Sequence, residues 1–392
     1  MPSKARAALV AAVLAGSATA ALAQDAAAAA PQIHAHRGGT VVNGKPTYAE
    51  ESLDAYRHAA KNGFVFEVDA KLTKDGVPVA IHDATVDRTT ACTGEVRSFT
   101  LAALRRCKPD VLGSPGGGLR TRTVKPRGSI PTIAEVLELA RLTGSAVNLE
   151  IKNVPTDPDY DATSAYANRV MDVVRASGLP RSQLLIQSFI PANLDVAKRR
   201  LPRVPTSLLT LSSGQPVIDL ANDGGYTWLS PQWPVEPGFV ADSHRARHRV
   251  APYTLNDRAQ VKAAGRAGVD AVITDDPLMA AGPLGLRPAT TLKAKLTRRG
   301  ARVEVTGRLV AARRRDCKGF VRLRVLGANR TLHARKTTLA RDCGYDVSVS
   351  VPRGAPARLL ATIGFGGNAR LLPLLVGPWP VPLELPLAVP HG

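Results

Sequence analysis

The sequence predicts an α/β protein in two parts, a (β/α)8 TIM barrel followed by a small C-terminal β-sandwich. Three observations predict this architecture. Eight short apolar strands alternate with helical stretches over about 250 residues. The last hundred or so residues instead alternate apolar and polar positions between turns. The charge also changes at this boundary, because residues 288–392 hold nineteen Lys and Arg but only five Asp and Glu, or +14 of the total +20.

The first residues are typical of a secretory signal peptide. Lys4 and Arg6 precede a short apolar run, and Ala21-Leu22-Ala23 has the small residues of a cleavage site. We therefore expect residues 1–23 to be removed, residues 24–32 to form a flexible leader, and the mature protein to be secreted, either extracellular or in the cell envelope. No later stretch reaches the eighteen consecutive apolar residues of a membrane span.

The barrel domain is predicted to span residues 33–284. Its strands are short apolar runs between helical patterns. The eight predicted strands are Ile33–His36, Phe64–Asp69, Ala146–Lys152, Leu184–Phe189, Thr206–Leu211, Trp228–Gln232, Val250–Asn256 and Ala271–Asp275. The helical periodicity is clearest in Thr132–Leu142, Ser164–Ala176, Ile190–Arg200 and Arg258–Ala267.

The apolar run Val77–His82 is not counted among the barrel strands. Only Ala70–Gly76 separates it from the second strand, and a parallel crossover needs a dozen or more residues. The sequence Thr73-Lys74-Asp75-Gly76 can instead close an antiparallel pair. We therefore predict a hairpin that folds back on the second strand and returns His82 toward the barrel mouth.

Residues 288–392 are predicted to form a basic, immunoglobulin-like β-sandwich. Thr291–Leu296, Val321–Val325 and Tyr345–Val351 show the strand pattern and lie between glycine-rich turns. A basic surface on an exported protein fits an anionic cell-envelope polymer or a membrane surface as its partner. Nucleic acid is not expected, because only 4% of the residues are aromatic and could stack on bases.

The four cysteines are expected to form disulfides. They are Cys92, Cys107, Cys317 and Cys343. Disulfides persist in the oxidising compartments that exported proteins reach, and four cysteines allow three pairings. Proximity favours Cys92–Cys107 and Cys317–Cys343, each within one predicted domain. A zinc site is the alternative, but no CxxC or Cys/His spacing supports it.

Charged side chains stand at the carboxyl ends of the first three strands, where the active sites of TIM barrels lie. They are His36 and Arg37, then Glu67 and Asp69, then Glu150 and Lys152. Because alternate residues of a strand share a face, Glu67 and Asp69 point the same way. Three carboxylates in one mouth are costly without a cation, and their hard oxygen ligands favour Ca²⁺ or Mg²⁺ over zinc.

The same rim carries the groups that hydrolysis of a phosphodiester needs. Arg37 and Lys152 beside a divalent cation would form a positive pocket for a phosphate group. His36 and His82 could divide the proton transfers between the attacking and the leaving oxygen. Our hypothesis makes His36 the base and His82 the acid, with the reverse order open. These residues predict metal-assisted hydrolysis of a phosphodiester.

Many separate motifs, in order and spacing, resemble those of the glycerophosphodiester phosphodiesterase family, over about residues 33–280. They are His36-Arg37-Gly38, Ala49-Glu50-Glu51-Ser52-Leu53, Glu67-Val68-Asp69, Leu72–Val79, His82–Thr90, Asn148–Lys152, Gln187-Ser188-Phe189, Tyr253–Asn256 and Gly268–Pro277. The resemblance implies a phospholipase-C-like TIM barrel. It also implies that the protein hydrolyses glycerophosphodiesters to an alcohol and glycerol 3-phosphate, with a divalent cation.

The resemblance also implies roles for individual residues. The acid/base pair would be His36 and His82, the metal ligands Glu67, Asp69 and Glu150, and the phosphate clamp Arg37. Glu50 and Lys152 match positions that support the metal and the phosphate. Residues 84–130 resemble an insertion that caps the family's active site. Two residues depart from the pattern, since Glu51 stands where Asn is often found and Tyr253 where Trp is frequent.

Two other functions stay open at this stage. A secreted phospholipase D of the sphingomyelinase-D kind is similar in its barrel and histidine pair and releases cyclic phosphates. His36-Arg37-Gly38 and the long capping stretch favour the glycerophosphodiesterase instead. The other possibility is an inactive envelope-binding protein that acts through its basic sandwich, and the intact histidines and carboxylates oppose it.

Overall fold

A computed structural model describes residues 30–113, 128–287, 291–299, 301–310, 316–327, 331–351, 359–368 and 370–380. The predicted signal peptide and residues 24–29 of the predicted leader lie outside these ranges, as do residues 114–127 of the predicted capping insertion. In the part of the chain that is described, no helix is both long enough and apolar enough to cross a membrane.

Residues 30–113 and 128–280 contain eleven strands. In chain order they are β1 (Gln32–Ala35), β2 (Val41–Val42), β3 (Lys45–Pro46), β4 (Val65–Leu72), β5 (Pro78–Ala80), β6 (Val147–Ile151), β7 (Leu184–Ser188), β8 (Thr206–Thr210), β9 (Trp228–Pro231), β10 (Arg249–Val250) and β11 (Ala271–Thr274). Eight of them follow one another in a parallel sheet in the order β10-β9-β8-β7-β6-β4-β1-β11. This order is the one that successive β/α units produce in a barrel.

Backbone hydrogen bonds close this sheet on itself. The amide of Asp270 donates to Val250 O at 2.9 Å, Ile273 N to Pro252 O at 3.0 Å, and Leu255 N to Ile273 O at 2.9 Å. They join the end of the strand order at β10 to its other end at β11. The predicted (β/α)8 barrel is therefore confirmed.

Most of the helices follow the barrel strands and pack around them. In chain order, the helices are α1 (Leu53–Lys61), α2 (Leu101–Leu104), α3 (Ile133–Thr143), α4 (Ala165–Ala176), α5 (Pro191–Arg200), α6 (Gln215–Gly224), α7 (Phe239–Arg245), α8 (Arg258–Ala267) and α9 (Pro277–Ala281). Helix α2 instead lies in the insertion between β5 and α3. Helix α3 shows how the sequence sets their ends. Thr132 and Glu135 form a capping box at its start, and Gly144 (φ 72°) ends it in the left-handed conformation.

The predicted hairpin is present. Strand β5 pairs antiparallel with the end of β4, with Ala70 opposite Ala80 and Leu72 opposite Pro78. Gly76 takes a positive φ of 71° in the turn, which favours glycine. The chain therefore returns to the barrel mouth and delivers His82 there.

Seven of the eight predicted barrel strands end before the residue that the sequence suggested, six of them by a single residue. The run Val250–Asn256 is a strand only at Arg249–Val250, because Pro252 has no N–H with which to continue the ladder. The first strand ends at Ala35, not at His36. Arg37 has φ 51°, so the chain turns out of the strand and places His36 and Arg37 in a tight turn on the rim.

The insertion between β5 and α3 has a small core of its own. Its described residues bury Val86, Val96, Leu104 and Ile130 together with Val79 and Ile81 of the hairpin. A disulfide joins Cys92 to Cys107 beside this cluster. The pairing favoured by the sequence is thus present.

The C-terminal region forms two antiparallel sheets. Its strands are β12 (Thr291–Arg299), β13 (Arg302–Val310), β14 (Phe320–Leu326), β15 (Thr331–Thr338), β16 (Gly344–Ser350), β17 (Leu360–Phe365) and β18 (Leu374–Pro380). One sheet has the order β12-β13-β16 and the other β15-β14-β17-β18. Their inward residues share one core, which includes Val305, Leu323 and Phe365, and a disulfide joins Cys317 to Cys343. The structure has the two packed sheets that the sequence predicts here.

The sandwich packs on the amino-terminal end of the barrel, opposite the mouth. Arg324 of β14 donates to Thr143 O at 2.8 Å, at the end of α3. Pro373 lies over Gly63, where a Cβ would come within 2.2 Å of it. Arg287 also pairs with the buried Asp316 at 3.1 Å. The contacts with Gly63 and Thr143 are made just before β4 and β6, the two strands that carry the carboxylates predicted as metal ligands.

Substitution of Gly144 tests the packing of the sandwich against the barrel. Gly144→Ala and Gly178→Ala both place a Cβ at a positive φ, of 72° and 66°. A Cβ at 144 would lie 1.1 Å from Arg324 Nη1, whereas a Cβ at 178 has no neighbour within 4 Å. We expect Gly178→Ala to lower the free energy of unfolding by about 1 kcal/mol. Gly144→Ala should lower it by roughly 1–3 kcal/mol more, because it also displaces Arg324 from α3.

Urea unfolding of the two variants measures this difference. Equal losses of free energy in Gly144→Ala and Gly178→Ala would contradict the packing of Arg324 against α3.

Candidate active site

Three buried carboxylates lie together at the carboxyl ends of β4 and β6. Glu67 and Asp69 alternate on β4, and Glu150 stands on β6 directly beside Asp69 in the parallel register. One oxygen from each of the three lies within 4.8 Å of the others. These three residues are the predicted metal ligands, and the structure brings all of them together.

Two oxygens of this cluster lack a hydrogen-bond donor. Asp69 Oδ2 and Glu150 Oε1 are buried and accept no hydrogen bond. Arg37 Nε and Lys152 Nζ lie 3.5 Å and 3.1 Å from these two oxygens, at ion-pair distance. Buried oxygens without donors are costly, and a divalent cation would satisfy both. An all-oxygen donor set is the kind that Ca²⁺ and Mg²⁺ prefer.

The pKa values of the three acids reflect their crowding. Burial raises the pKa of Glu67, and the neighbouring charge of Asp69 adds to this effect. Burial also raises the pKa of Glu150, against the opposing charge of Lys152. Burial opposes ionisation of Asp69 too, but Lys152, His82 and Arg37 outweigh it and hold its pKa well below the usual range. Without a cation, the three carboxylates therefore resist being charged together.

Arg37 and Lys152 place positive charge against the acidic cluster. The backbone amide of Arg37 donates to Glu67 Oε2 at 2.8 Å, so the turn after β1 is tied to the cluster. The Arg37 side chain reaches Asp69 and also Glu50, at 3.4 Å. Lys152 Nζ lies between Glu150 and Asp69, at 3.1 and 3.7 Å. Both predicted phosphate-binding residues thus stand at the mouth.

His36 is oriented by an acid that sequence reasoning did not assign. Its Nδ1 lies 2.7 Å from Asp275 Oδ1, just after β11. Asn256 donates to the other carboxylate oxygen of Asp275 at 2.5 Å. Burial disfavours the charge of His36, but Asp275 outweighs it and raises the pKa of the ring. This pair uses Nδ1 and leaves the Nε2 atom of His36 outside it.

His82 has a similar partner. Its Nδ1 lies 2.6 Å from Asp83 Oδ1, and Arg88 donates to Asp83 through Nε at 2.6 Å. Arg88 also forms two hydrogen bonds with Glu50, at 2.7 and 2.8 Å. Burial lowers the pKa of His82 despite the nearby acids. Because Glu50 contacts both Arg88 and Arg37, it links these two side chains. It lies outside the three-carboxylate cluster.

A layer of polar side chains inside the barrel supports Glu67 from below. Gln187 donates to Glu67 Oε1 at 2.8 Å, and Asn148 donates to Gln187 at 2.8 Å. Asn148 also lies 3.2 Å from His34 Nδ1. All four residues are buried. Burial lowers the pKa of His34 to about 3, so its ring is neutral and can accept from Asn148.

Glu51, the residue that departs from the family pattern, supports Asp69 from the side. Its Oε1 accepts from the Asp69 amide at 3.0 Å, and Tyr56 donates its hydroxyl to the other oxygen. Burial and the charges of Asp69 and Glu67 raise the pKa of Glu51 well above the usual range. Tyr253, the second departure, donates to Thr210 O at 3.0 Å and packs edge-on against Phe189.

Four residues that support the site could not be assigned a role from the sequence alone. Asp83 and Asp275 lie in motifs that carried the resemblance, one directly after His82 and the other after the last strand, yet only the structure pairs them with the histidines. Gln187 was likewise part of a motif without a role. Arg88 gave no signal beyond its motif, because its two partners lie 5 and 38 residues away along the chain.

Comparisons with known proteins find one matching family and several named relatives. The model of the glycerophosphoryl diester phosphodiesterase family matches residues 36–279. A glycerophosphodiester phosphodiesterase of Caldanaerobacter subterraneus is 28% identical over 247 residues, which are 62% of this chain and 93% of that protein. One of Bacillus altitudinis is 29% identical over 252 residues, 63% of this chain and 95% of the relative.

Solved structures share the fold. A phosphodiesterase of Oleispira antarctica, in complex with the product sn-glycerol-3-phosphate, superposes with a TM-score of 0.53 at 23% identity and covers 65% of this chain and 96% of its own. A glycerophosphodiester phosphodiesterase of Parabacteroides distasonis superposes with a TM-score of 0.52 at 20% identity, over 65% of this chain and 97% of its own.

The neutral His34 leads to a prediction about stability in acid. Its pKa is about 3 in the folded protein and about 6.5 when unfolded, so the unfolded state binds more protons between these values. The stability from this group is present above pH 6.5 and is lost as the pH falls toward 3. In this range, we expect the free energy of unfolding of wild type to fall more steeply with decreasing pH than that of His34→Gln. The difference should be up to about 1.4 kcal/mol per pH unit.

Denaturant unfolding in chelator between pH 7 and pH 4 measures the two slopes. His333→Gln, which removes an exposed histidine from β15, is the control and should keep the wild-type slope. A wild-type slope in His34→Gln would show that His34 is not held neutral.

Proposed function

Because the chain belongs to the glycerophosphoryl diester phosphodiesterase family and is a phosphoric diester hydrolase, we propose that its barrel mouth uses a divalent cation and two histidines. The substrate would be a glycerophosphodiester, and the products an alcohol and glycerol 3-phosphate. The observation that carries this proposal is the cluster of Glu67, Asp69 and Glu150, with two buried oxygens that lack donors, beside Arg37 and Lys152. The product in the Oleispira antarctica complex is consistent with it.

Glu67, Asp69 and Glu150 would hold the cation, either Ca²⁺ or Mg²⁺. When bound, it would draw negative charge from the phosphate oxygens and lower the barrier to attack at phosphorus. Arg37 and Lys152 would bind the same phosphate group from the protein side. The guanidinium of Arg37 suits the paired oxygens of a phosphate, and Lys152 adds a point charge.

His36 and His82 would move the protons through Nε2, because Asp275 and Asp83 hold Nδ1 in each ring. One ring takes the proton from the attacking oxygen, and the other gives a proton to the oxygen that leaves. The electrostatic surroundings favour His36 as the acid, since Asp275 stabilises its charge. Burial favours a neutral His82 as the base. This order is the reverse of our sequence-based hypothesis.

The attacking oxygen can come from two sources. Water attack forms one P–O bond, breaks the bond to the alcohol and yields glycerol 3-phosphate directly. Attack by the substrate's own glycerol hydroxyl releases the alcohol first and leaves a cyclic phosphate that water opens. Phosphorus NMR of the products from glycerophosphocholine and from sphingomyelin tests the function. Glycerol 3-phosphate from the first substrate supports our proposal. A cyclic phosphate from sphingomyelin alone would favour the sphingomyelinase-D-like alternative.

We also propose that the protein is exported and works in the cell envelope. The amino-terminal pattern of residues 1–23 and the two disulfides support export, because disulfides are rare in the reducing cytosol. The excess of Lys and Arg in residues 288–392 supports an anionic envelope polymer or membrane surface as partner.

Removal of the cation should abolish turnover. After chelation we expect hydrolysis of glycerophosphocholine to fall by at least about 100-fold, because a metal contributes several kcal/mol to the transition state. Ca²⁺ or Mg²⁺ should restore it in wild type and in Asp54→Asn, a surface variant, but not in Asp69→Asn. Full activity of the chelated protein would contradict the metal-dependent site.

Loss of either histidine should stop proton transfer. We expect His36→Ala and His82→Ala to lower kcat by at least about 100-fold each, within the usual range for an acid or base. His333→Ala should not change it. Steady-state kinetics with glycerophosphocholine measures these effects, and turnover within about tenfold of wild type in either variant would refute the paired scheme.

A further inference from the structure

A cavity lies at the opposite end of the barrel from the active site. It has a volume of about 220 Å³ and separates the barrel from the outer face of the sheet that contains β14. Gly63, Phe64 and Thr143 line it from the barrel, and Phe320, Arg322 and Arg324 from the sandwich. No motif of the family resemblance points to this cavity, because its walls come from both domains.

Two arginines line this cavity, and a lysine lies beside it. Arg322 and Arg324 alternate on β14 and so share a face. Lys336 stands opposite Arg322 in the antiparallel register with β15. The Lys336 Nζ atom and the Arg322 guanidinium lie 4.5 Å and 5.8 Å from the centre of the Phe320 ring. The ring thus gathers two of the cations at the edge of the cavity.

None of the three has an acidic partner. Within the described residues, no carboxylate lies within 4 Å of Arg322, Arg324 or Lys336. Other arginines of the sandwich do have one, since Arg302 pairs with Glu304 at 2.8 Å and Arg308 with Asp342 at 2.8 Å. The charges of Arg322, Arg324 and Lys336 are therefore not neutralised by a neighbouring carboxylate among the described residues.

Arg324 lies in a partly buried position, where its charge is only partly offset. Its Nη1 donates to Thr143 O at 2.8 Å, so the carbonyl end of α3 offsets part of its charge. Burial, together with the charge of Arg322, nevertheless lowers its pKa to about 10. Arg322 and Lys336 lie against the Phe320 ring at the edge of the cavity, and Lys336 is exposed, so both are accessible to an anion there.

We propose that a phosphate group binds at the edge of this interdomain cavity, held by Arg322, which lines the cavity, and by Lys336, which contacts the Phe320 ring beside it. Guanidinium groups bind phosphate oxygens in pairs, and the ammonium group of Lys336 adds a point charge. The cavity is large enough for inorganic phosphate or for a small phosphate ester such as glycerol 3-phosphate. It is too small to enclose a polymer chain. This anion site goes beyond the proposed hydrolysis, because it lies away from the catalytic groups.

Equilibrium dialysis of the full chain tests the proposal, with inorganic phosphate and with sn-glycerol 3-phosphate as separate probes at constant ionic strength. The test variant is Arg322→Gln/Lys336→Gln. The control is Lys293→Gln/Lys295→Gln, which removes the same charge from exposed positions on β12. All proteins keep the active-site mouth, so the difference between the variants isolates the interdomain cavity.

We expect wild type and the control to bind one more equivalent of at least one probe than the test variant, or to bind it at least about tenfold more tightly. The probe that shows this difference identifies free phosphate or its ester as the ligand. Equal binding by all three proteins would overturn the proposal, as would equal weakening in both double variants. Hydrolysis of glycerophosphocholine by the test variant should stay within about twofold of wild type, so failure here is separate from failure of the proposed function.

Discussion

The crowding of Glu67, Asp69 and Glu150 is the constraint on which the rest of the mouth depends. The ladder between β4 and β6 sets Asp69 beside Glu150, and alternation along β4 adds Glu67 to the same face. Backbone hydrogen bonds hold these strands, so the acids cannot move apart. Arg37 and Lys152 offset part of their repulsion. In our proposal, the remaining buried oxygens would hold a cation, and the cation with the two basic residues would bind the phosphate.

Hydrogen bonds from residues around the mouth keep the reacting groups in place. Gln187 and the Arg37 amide hold Glu67, while Glu51 holds the Asp69 amide. Asp275 and Asp83, from two widely separated parts of the chain, orient the rings of His36 and His82 through contacts at Nδ1. The Glu67 carboxylate and both imidazoles therefore have a fixed orientation, and positioned groups are what phosphoryl transfer requires of a protein.

Much of this arrangement could be predicted from sequence, because it rests on local rules. The spacing in Glu67-Val68-Asp69 places two acids on one face, and the short turn at Gly76 forces a hairpin. The partners of the histidines could not be predicted in this way, since the contact of His36 with Asp275 spans 239 residues and depends on closure of the barrel. The early end of the strand at Val250 also depends on context, because the proline effect competes with an apolar run that looks like a strand. The cavity at Arg322 needed both domains in place.

Direct location of a cation tests the central claim best. Mn²⁺ prefers the same oxygen ligands as Ca²⁺ and Mg²⁺, and its anomalous scattering identifies it in a crystal. In crystals soaked with Mn²⁺, we expect the strongest anomalous peak between the side chains of Glu67, Asp69 and Glu150, and no such peak in Glu150→Gln. A wild-type crystal in which Mn²⁺ binds elsewhere, with these three carboxylates bare, would contradict our account of the site.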